Sequence, residues 1–287
     1  MKYLYLVLAL CLFTSCHESE KARISRLVKE WDGRKILFPA GSVFTVQGQD
    51  TVDFSFRDAD YKVLAYVDSL GCTSCKLQLS RWRQFLEEVD TTVRFHVPFV
   101  FYLHPKDKKE LRYLTRRDGF SHPVCFDEHD SLNTLNRFPT DMTFQTFLLD
   151  KSDRVVAIGN PVLNPQVKSL YLQVLTGHKQ AADTDVRTTV EADRELLDFG
   201  QFPQSEKQER SFFLTNTGNR VLVIHDVVTS CGCTRVEYSK EGVRPGGRLE
   251  LKVIYDAEEP GRFSKTITVY CNAESSPLRL KIRGGAE

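Results

Sequence analysis

Val63-Leu64-Ala65-Tyr66-Val67-Asp68-Ser69-Leu70-Gly71-Cys72-Thr73-Ser74-Cys75 is the stretch on which the reading of this chain turns. Residues 63–67 are apolar without alternation, the pattern of a strand buried on both faces of a sheet. A short loop with Gly71 follows. Trp82, Phe85, Leu86 and Val89 then recur at helical spacing and predict a helix with one inward face. Cys72 and Cys75 therefore fall between a buried strand and a helix start. A helix start presents unpaired N–H groups and partial positive charge, which favours a thiolate. In this place Cys72 is the candidate attacking thiol and Cys75 the candidate resolving thiol.

Outward from this stretch the chain alternates strands and helices. Strands are expected at 93–103, 122–126, 143–149 and 155–158. Helices are expected at 106–117, 131–137 and 166–175, Leu111 and Leu114 facing inward from the first. The order β-α-β-α-β-α-β-β-α predicts a mixed sheet covered on both faces. Ahead of it, 24–31 reads as an amphipathic helix, and 35–38, 43–47 and 51–56 as short strands. Trp31 reads as a staple onto the α/β domain. After a polar linker the helical period disappears. Short strands are expected at 196–199, 210–215, 221–228, 234–238, 248–255, 265–271 and 278–282, separated by turns such as Asn216-Thr217-Gly218-Asn219 and Pro245-Gly246-Gly247. Seven such strands suggest an immunoglobulin-like sandwich.

The first residues differ from the rest. Lys2 is followed by an uncharged apolar run over 3–13, too short to cross a bilayer, then Thr14, Ser15 and Cys16. This is a secretory signal, and it resembles a bacterial lipoprotein signal in which Cys16 is lipidated and becomes the mature N-terminus. The usual motif has Leu three residues before the cysteine; Phe13 stands there. The resemblance places the chain in the bacterial cell envelope, lipid-anchored, facing the periplasm or on the outer membrane. That compartment permits disulfides. The formal net charge is +1 and no basic stripe appears, so nothing argues for nucleic acid.

The segment 63–75, with the later Thr146-Phe147-Leu148-Leu149-Asp150, resembles the active-site strand and a following strand of thioredoxin-like proteins of the envelope branch. The resemblance covers about 58–176 and implies a redox role for Cys72 and Cys75. Three positions depart from the family. Gly71 replaces the usual Trp before the first cysteine. Tyr66 occupies the place of the buried acidic residue. Phe144 occupies the place of the cis-proline, and a cis bond there would cost ~2.5–4 kcal/mol.

The second domain resembles an uncharacterised Hydin-related immunoglobulin-like family, through Leu197-Asp198-Phe199-Gly200, the Asn216-Thr217-Gly218 turn, Cys231-Gly232-Cys233-Thr234 and Pro245-Gly246. That resemblance implies a fold and a recurrent Cys-Gly-Cys motif, but no activity. Cys231 and Cys233 read equally as a metal chelate, a disulfide or two structural thiols. Cys125 and Cys271 read as buried, inert thiols.

The expected organisation is a signal peptide over 1–15, a tether and N-terminal extension over 16–57, a thioredoxin-like domain over 58–176, a linker over 177–189 and the immunoglobulin-like domain over 190–287. The leading function is a thiol–disulfide oxidoreductase or redox-responsive lipoprotein, whose partner is a disulfide-containing or dithiol protein. The alternative is a non-catalytic binding scaffold with structural cysteines. Two thiolates do not complete a four-ligand zinc site, and His96, His104 and His122 supply no ligand spacing, so no metal and no cofactor is assigned.

Overall fold

The computed structural model describes residues 20–70, 76–177 and 187–287. Cys16, Cys72 and Cys75 lie outside the described residues, as do the signal and most of the expected linker.

The chain enters through helix α1 (Glu20–Trp31) and a small hairpin, β1 (Phe44–Val46) and β2 (Asp50–Val52). Strand β3 (Tyr61–Val67) precedes α2 (Leu79–Thr92), β4 (Phe99–Leu103), α3 (Lys108–Arg117), β5 (Val124–Phe126) and α4 (Ser131–Asn136). The hairpin β6 (Thr146–Asp150) and β7 (Val155–Ile158) leads to α5 (Pro165–Thr176). The strands form one sheet in the order β2-β1-β5-β4-β3-β6-β7. Strands β3, β4 and β5 run parallel, and β6 lies antiparallel to β3.

Both faces of this sheet are covered, which explains the unbroken apolar run at 63–67. Val63 and Ala65 pack with Trp82, Phe85 and Val89 of α2 and with Tyr171 of α5. Leu64 and Tyr66 point the other way, into a second core with Trp31, Tyr102, Phe138 and Phe147. Trp31 acts as the expected staple: its ring lies 4.9 Å from that of Phe147 and 5.7 Å from that of Phe138. Lys62 is fully buried in β3, and its ammonium donates to Asp153 Oδ1 at 2.7 Å. A buried cation needs such a partner.

The remaining strands are β8 (Val190–Ala192), β9 (Leu196–Phe202), β10 (Gln208–Asn216), β11 (Ile224–Thr229), β12 (Thr234–Glu237), β13 (Arg248–Tyr255), β14 (Gly261–Cys271) and β15 (Leu278–Ala286). They form two four-stranded sheets, β12-β13-β10-β8 and β11-β14-β15-β9. Phe212, Leu251 and Val253 from one sheet meet Ile267, Val269 and Ile282 from the other in a single core. Asn216 fixes the turn that the sequence marks. Its Oδ1 accepts from Thr188 Oγ1 at 2.8 Å, and its Nδ2 donates to the carbonyls of Arg220 at 2.7 Å and Val243 at 2.8 Å.

Several boundaries differ from the sequence reading. No strand forms over 35–38, where Lys35 makes only an isolated bridge to Arg154. The strand expected from 93 begins at Phe99. Val93 instead closes α2, its N–H bonding Val89 O at 2.8 Å, and Arg94, Phe95 and His96 are exposed. The apolar letters at 93 and 97 thus belong to a loop that tucks under the helix. At the start of β6, a 3-10 turn (Met142–Phe144) replaces the first residues of the expected strand. Strand β8 was not expected; three residues in a polar stretch carry too little pattern.

The two halves touch at several side chains. Arg81 forms an ion pair with Asp226 of β11 and donates to Val227 O at 3.2 Å. Tyr270 OH donates to Leu163 O at 3.2 Å, and Arg117 Nη1 to Glu258 Oε1 at 3.1 Å.

Candidate functional site

Strand β3 delivers the chain to Asp68 at the carboxyl end of the parallel strands, where open α/β sheets place their reactive groups. The described chain resumes at Lys76. Asp68 and Lys76 stand on either side of the Cys72-Thr73-Ser74-Cys75 stretch in sequence. The Lys76 ammonium pairs with Asp68, both side chains nearly buried. Gln145, immediately before β6, donates from Nε2 to Asp68 Oδ2 at 2.7 Å and to Pro139 O at 2.9 Å. Leu70 N–H donates to Asp68 Oδ1 at 2.8 Å. Burial works to raise the Asp68 pKa, but the bonds from Lys76, Gln145 and Leu70 and the Lys76 charge outweigh it, so the carboxyl lies below its ordinary 3.8. A shallow cleft beside this network is lined by Val67, Lys76, Met142, Gln145 and Asn160.

Asp68, Lys76 and Gln145 were missed by the sequence reading. Opposite charges flanking a Cys-x-x-Cys segment were a visible signal for the first two. Gln145 carried none, because only the pairing of β6 with β3 brings it alongside. Asp68→Asn is expected to destabilise the protein by about 2 kcal/mol, the worth of hydrogen bonds to a charged group. The pH dependence gives the sign. A carboxyl with a folded pKa below 3.8 contributes fully above that value and loses its contribution as pH falls through the folded pKa. Urea titrations between pH 7 and pH 3 are expected to show the Asn variant losing less stability over that interval than the parent.

The residues expected to tune the pair behave differently. Tyr66 faces away from the Trp82 side and donates its hydroxyl to Asp130 Oδ1 at 2.7 Å. Burial first, and Asp130 second, push its pKa far up, so it is no proton acceptor. Phe144 ends the 3-10 turn and is trans, since Ser276–Pro277 is the cis peptide among the described residues.

Of the other cysteines, Cys125 is free and buried, its thiol pushed up to about 11 by burial and by Asp127. Cys271 is also free and buried in the sandwich core, its pKa raised by burial. Both match the expectation of inert packing thiols. Cys231 and Cys233 form a disulfide with Cα atoms 5.3 Å apart. This decides among the three readings of that motif: the sulfurs are spent on each other, not on a metal. Among the described residues no group of three or more His, Cys, Asp or Glu side chains is placed to hold a metal ion. The bridge lies where the chain passes from β11 in one sheet to β12 in the other.

A larger groove of about 590 Å³ lies elsewhere, lined by Val43, Phe44, Phe54, Phe56, Arg57 and Tyr102. The Tyr102 hydroxyl in its wall is already bonded to Ser42 Oγ at 2.7 Å.

Residues 190–286 match a family described as a protein of unknown function (DUF1573). This is the β-sandwich part of the chain. The chain is also similar to a protein of unknown function from Porphyromonas gingivalis W83, at 25% identity and a TM-score of 0.32 over 34% of this chain and 47% of that one. The chain thus spans about half the length of that protein. The bacterioferritin comigratory protein of Xanthomonas campestris, in structures described as concerning its alkyl peroxide reduction, is 16% identical with a TM-score of 0.36, over 50% of this chain and 98% of that one. A putative electron transfer protein from Aquifex aeolicus is 11% identical with a TM-score of 0.37, over 51% and 99%. No curated protein matches the sequence. The thioredoxin-like assignment of the first half rests on its own sheet: parallel β3-β4-β5, antiparallel β6-β7, and helices on both faces.

Proposed function

We propose that the chain is a lipid-anchored thiol–disulfide exchange protein of the bacterial cell envelope, with Cys72 as attacking thiol and Cys75 as resolving thiol. One observation carries this reading most. A doubly buried strand ends at Val67, just before Asp68, and Asp68 pairs with Lys76. The pair of cysteines sits on the segment between them. A dithiol on such a segment can exchange with a second protein where one thiolate is accessible. The partner is a disulfide-containing or dithiol protein. Lipidation at Cys16 supplies the membrane attachment, and residues from 17 onward tether the folded part.

The test is equilibration of the mature chain with glutathione buffers of graded potential, followed by acid quench, thiol alkylation and peptide mapping. Cys72 and Cys75 are expected to pass together from dithiol to disulfide within the glutathione range. A pair that keeps one state across every buffer removes the proposal.

A further inference from the structure

The Cys231–Cys233 bridge encloses one residue, Gly232, in a turn that is anchored without it. Ser230 N–H bonds Thr266 O at 2.9 Å, and Asp256 N–H bonds Cys233 O at 2.9 Å. Thr229 Oγ1 donates to Cys231 O, also at 2.9 Å. A crosslink over so short a loop restricts the unfolded chain little. A purely structural purpose therefore accounts poorly for it.

The two sulfurs stand in unequal surroundings. Cys231 is fully buried, and its Sγ lies 3.1 Å from Thr234 Oγ1. Cys233 is only half-buried. An exchangeable disulfide needs one sulfur open to attack and another able to depart as thiolate. Cys233, the less buried of the two, is the one placed to meet the first need. The Thr234 hydroxyl meets the second, because it can donate to the negative sulfur left at Cys231.

The position adds a direction. Arg81 holds α2 on β11 through Asp226 and Val227 O. Gln78 Nε2 donates to Thr229 O at 3.4 Å, two residues before Cys231. Along the chain Cys75 is three peptide units from Gln78, at most ~11 Å when extended. The end of α2 that follows the first cysteine pair thus rests on the strand that leads into the second.

We propose that Cys231–Cys233 is a second exchange site, which takes two electrons from a dithiol through attack at Cys233. One thiolate of the dithiol attacks Cys233 Sγ. The bond between the two cysteines breaks, and Cys231 leaves with the electron pair, held by Thr234. The donor's second thiolate then attacks its own sulfur in the mixed disulfide and releases Cys233. The donor ends as a disulfide, and Cys231 and Cys233 end as thiols after taking protons from water. The donor is the chain's own Cys72 and Cys75 or the same chemistry on a separate protein; the first source rests on the function proposed above.

The test uses the oxidised full chain in native buffer with dithiothreitol as the probe, acid quench, alkylation and peptide mapping. The bridge is expected to open while circular dichroism shows the sandwich still folded. Thr234→Val is expected to slow the opening roughly tenfold, as loss of a hydrogen bond to a charged group does, and Thr234→Ser to restore it. A bridge that opens only where the sandwich unfolds overturns the proposal, as does an unchanged rate in Thr234→Val. The source is read from Cys75→Ser, which cannot resolve. A Cys72–Cys233 linkage assigns the donor to this chain. Opening by dithiothreitol without that linkage assigns it to a separate dithiol. Failure of the first function is read separately, from Cys72 and Cys75 in the glutathione buffers.

Discussion

Trp82→Ala is expected to lower the stability of the α/β half by about 3–5 kcal/mol, the range for truncating a buried aromatic side chain. Trp82 is 2% exposed. It meets Phe101 edge-on at 5.1 Å and reaches Phe85 and Phe99 at 6.3 Å each. These rings join α2 to β4, so the cavity would open in the seam between helix and sheet. Neighbouring aromatic rings fixed on strands collapse poorly into such a space. The loss is read from urea titrations followed by tryptophan fluorescence, for which Trp31 remains as reporter. Two halves need not unfold together, so a second probe on the sandwich belongs in the experiment. A loss below about 1 kcal/mol would mean that α2 is not packed as described.

Cys72→Ser is expected to abolish exchange with a small aromatic disulfide, leaving only the rate of the buffer. A hydroxyl is neither acidic enough to ionise at neutral pH nor able to form a disulfide. Cys75→Ser is expected to act differently. The attack still occurs, but the mixed disulfide at Cys72 persists, because no neighbouring thiol resolves it. Mass spectrometry of the trapped adduct distinguishes the two. Full activity in Cys72→Ser would assign the chemistry to another cysteine, with Cys233 the first to examine.

Much of the fold was legible because its signals are local. The run at 63–67 has no alternation, and both of its faces are indeed buried, by α2 on one side and Trp31 and Phe138 on the other. The spacing of Trp82, Phe85 and Val89 marked α2, and those side chains point inward. The eight strands of the sandwich include the seven expected, because turns at Asn216 and Gly246 separate alternating runs. What failed was also local. Val93 and Val97 look like strand residues, yet a helix C-terminus and a loop use them to cover the core. Lys62 sits inside a fully buried strand, a placement that became tolerable only when the β6–β7 turn brought Asp153 to it.

The side chains that support the candidate site were not legible in the sequence. The sequence placed Cys72 and Cys75 between strand and helix. The charges of Asp68 and Lys76 on either side of the pair were visible, but not that the two would meet, nor that Gln145 would reach Asp68. The sequence also left Cys231 and Cys233 undecided, because burial and the nearby Thr234 hydroxyl come from the passage between sheets.

The most direct measurement is the ionisation of the Cys72 thiol, followed through the pH dependence of its alkylation by iodoacetamide in the reduced full chain, with Cys72 identified by peptide mapping. The account predicts a pKa below about 7, within the range of activated thiols, with the rate already near its plateau at neutral pH. A pKa above 8, together with no exchange against a model disulfide, would contradict it.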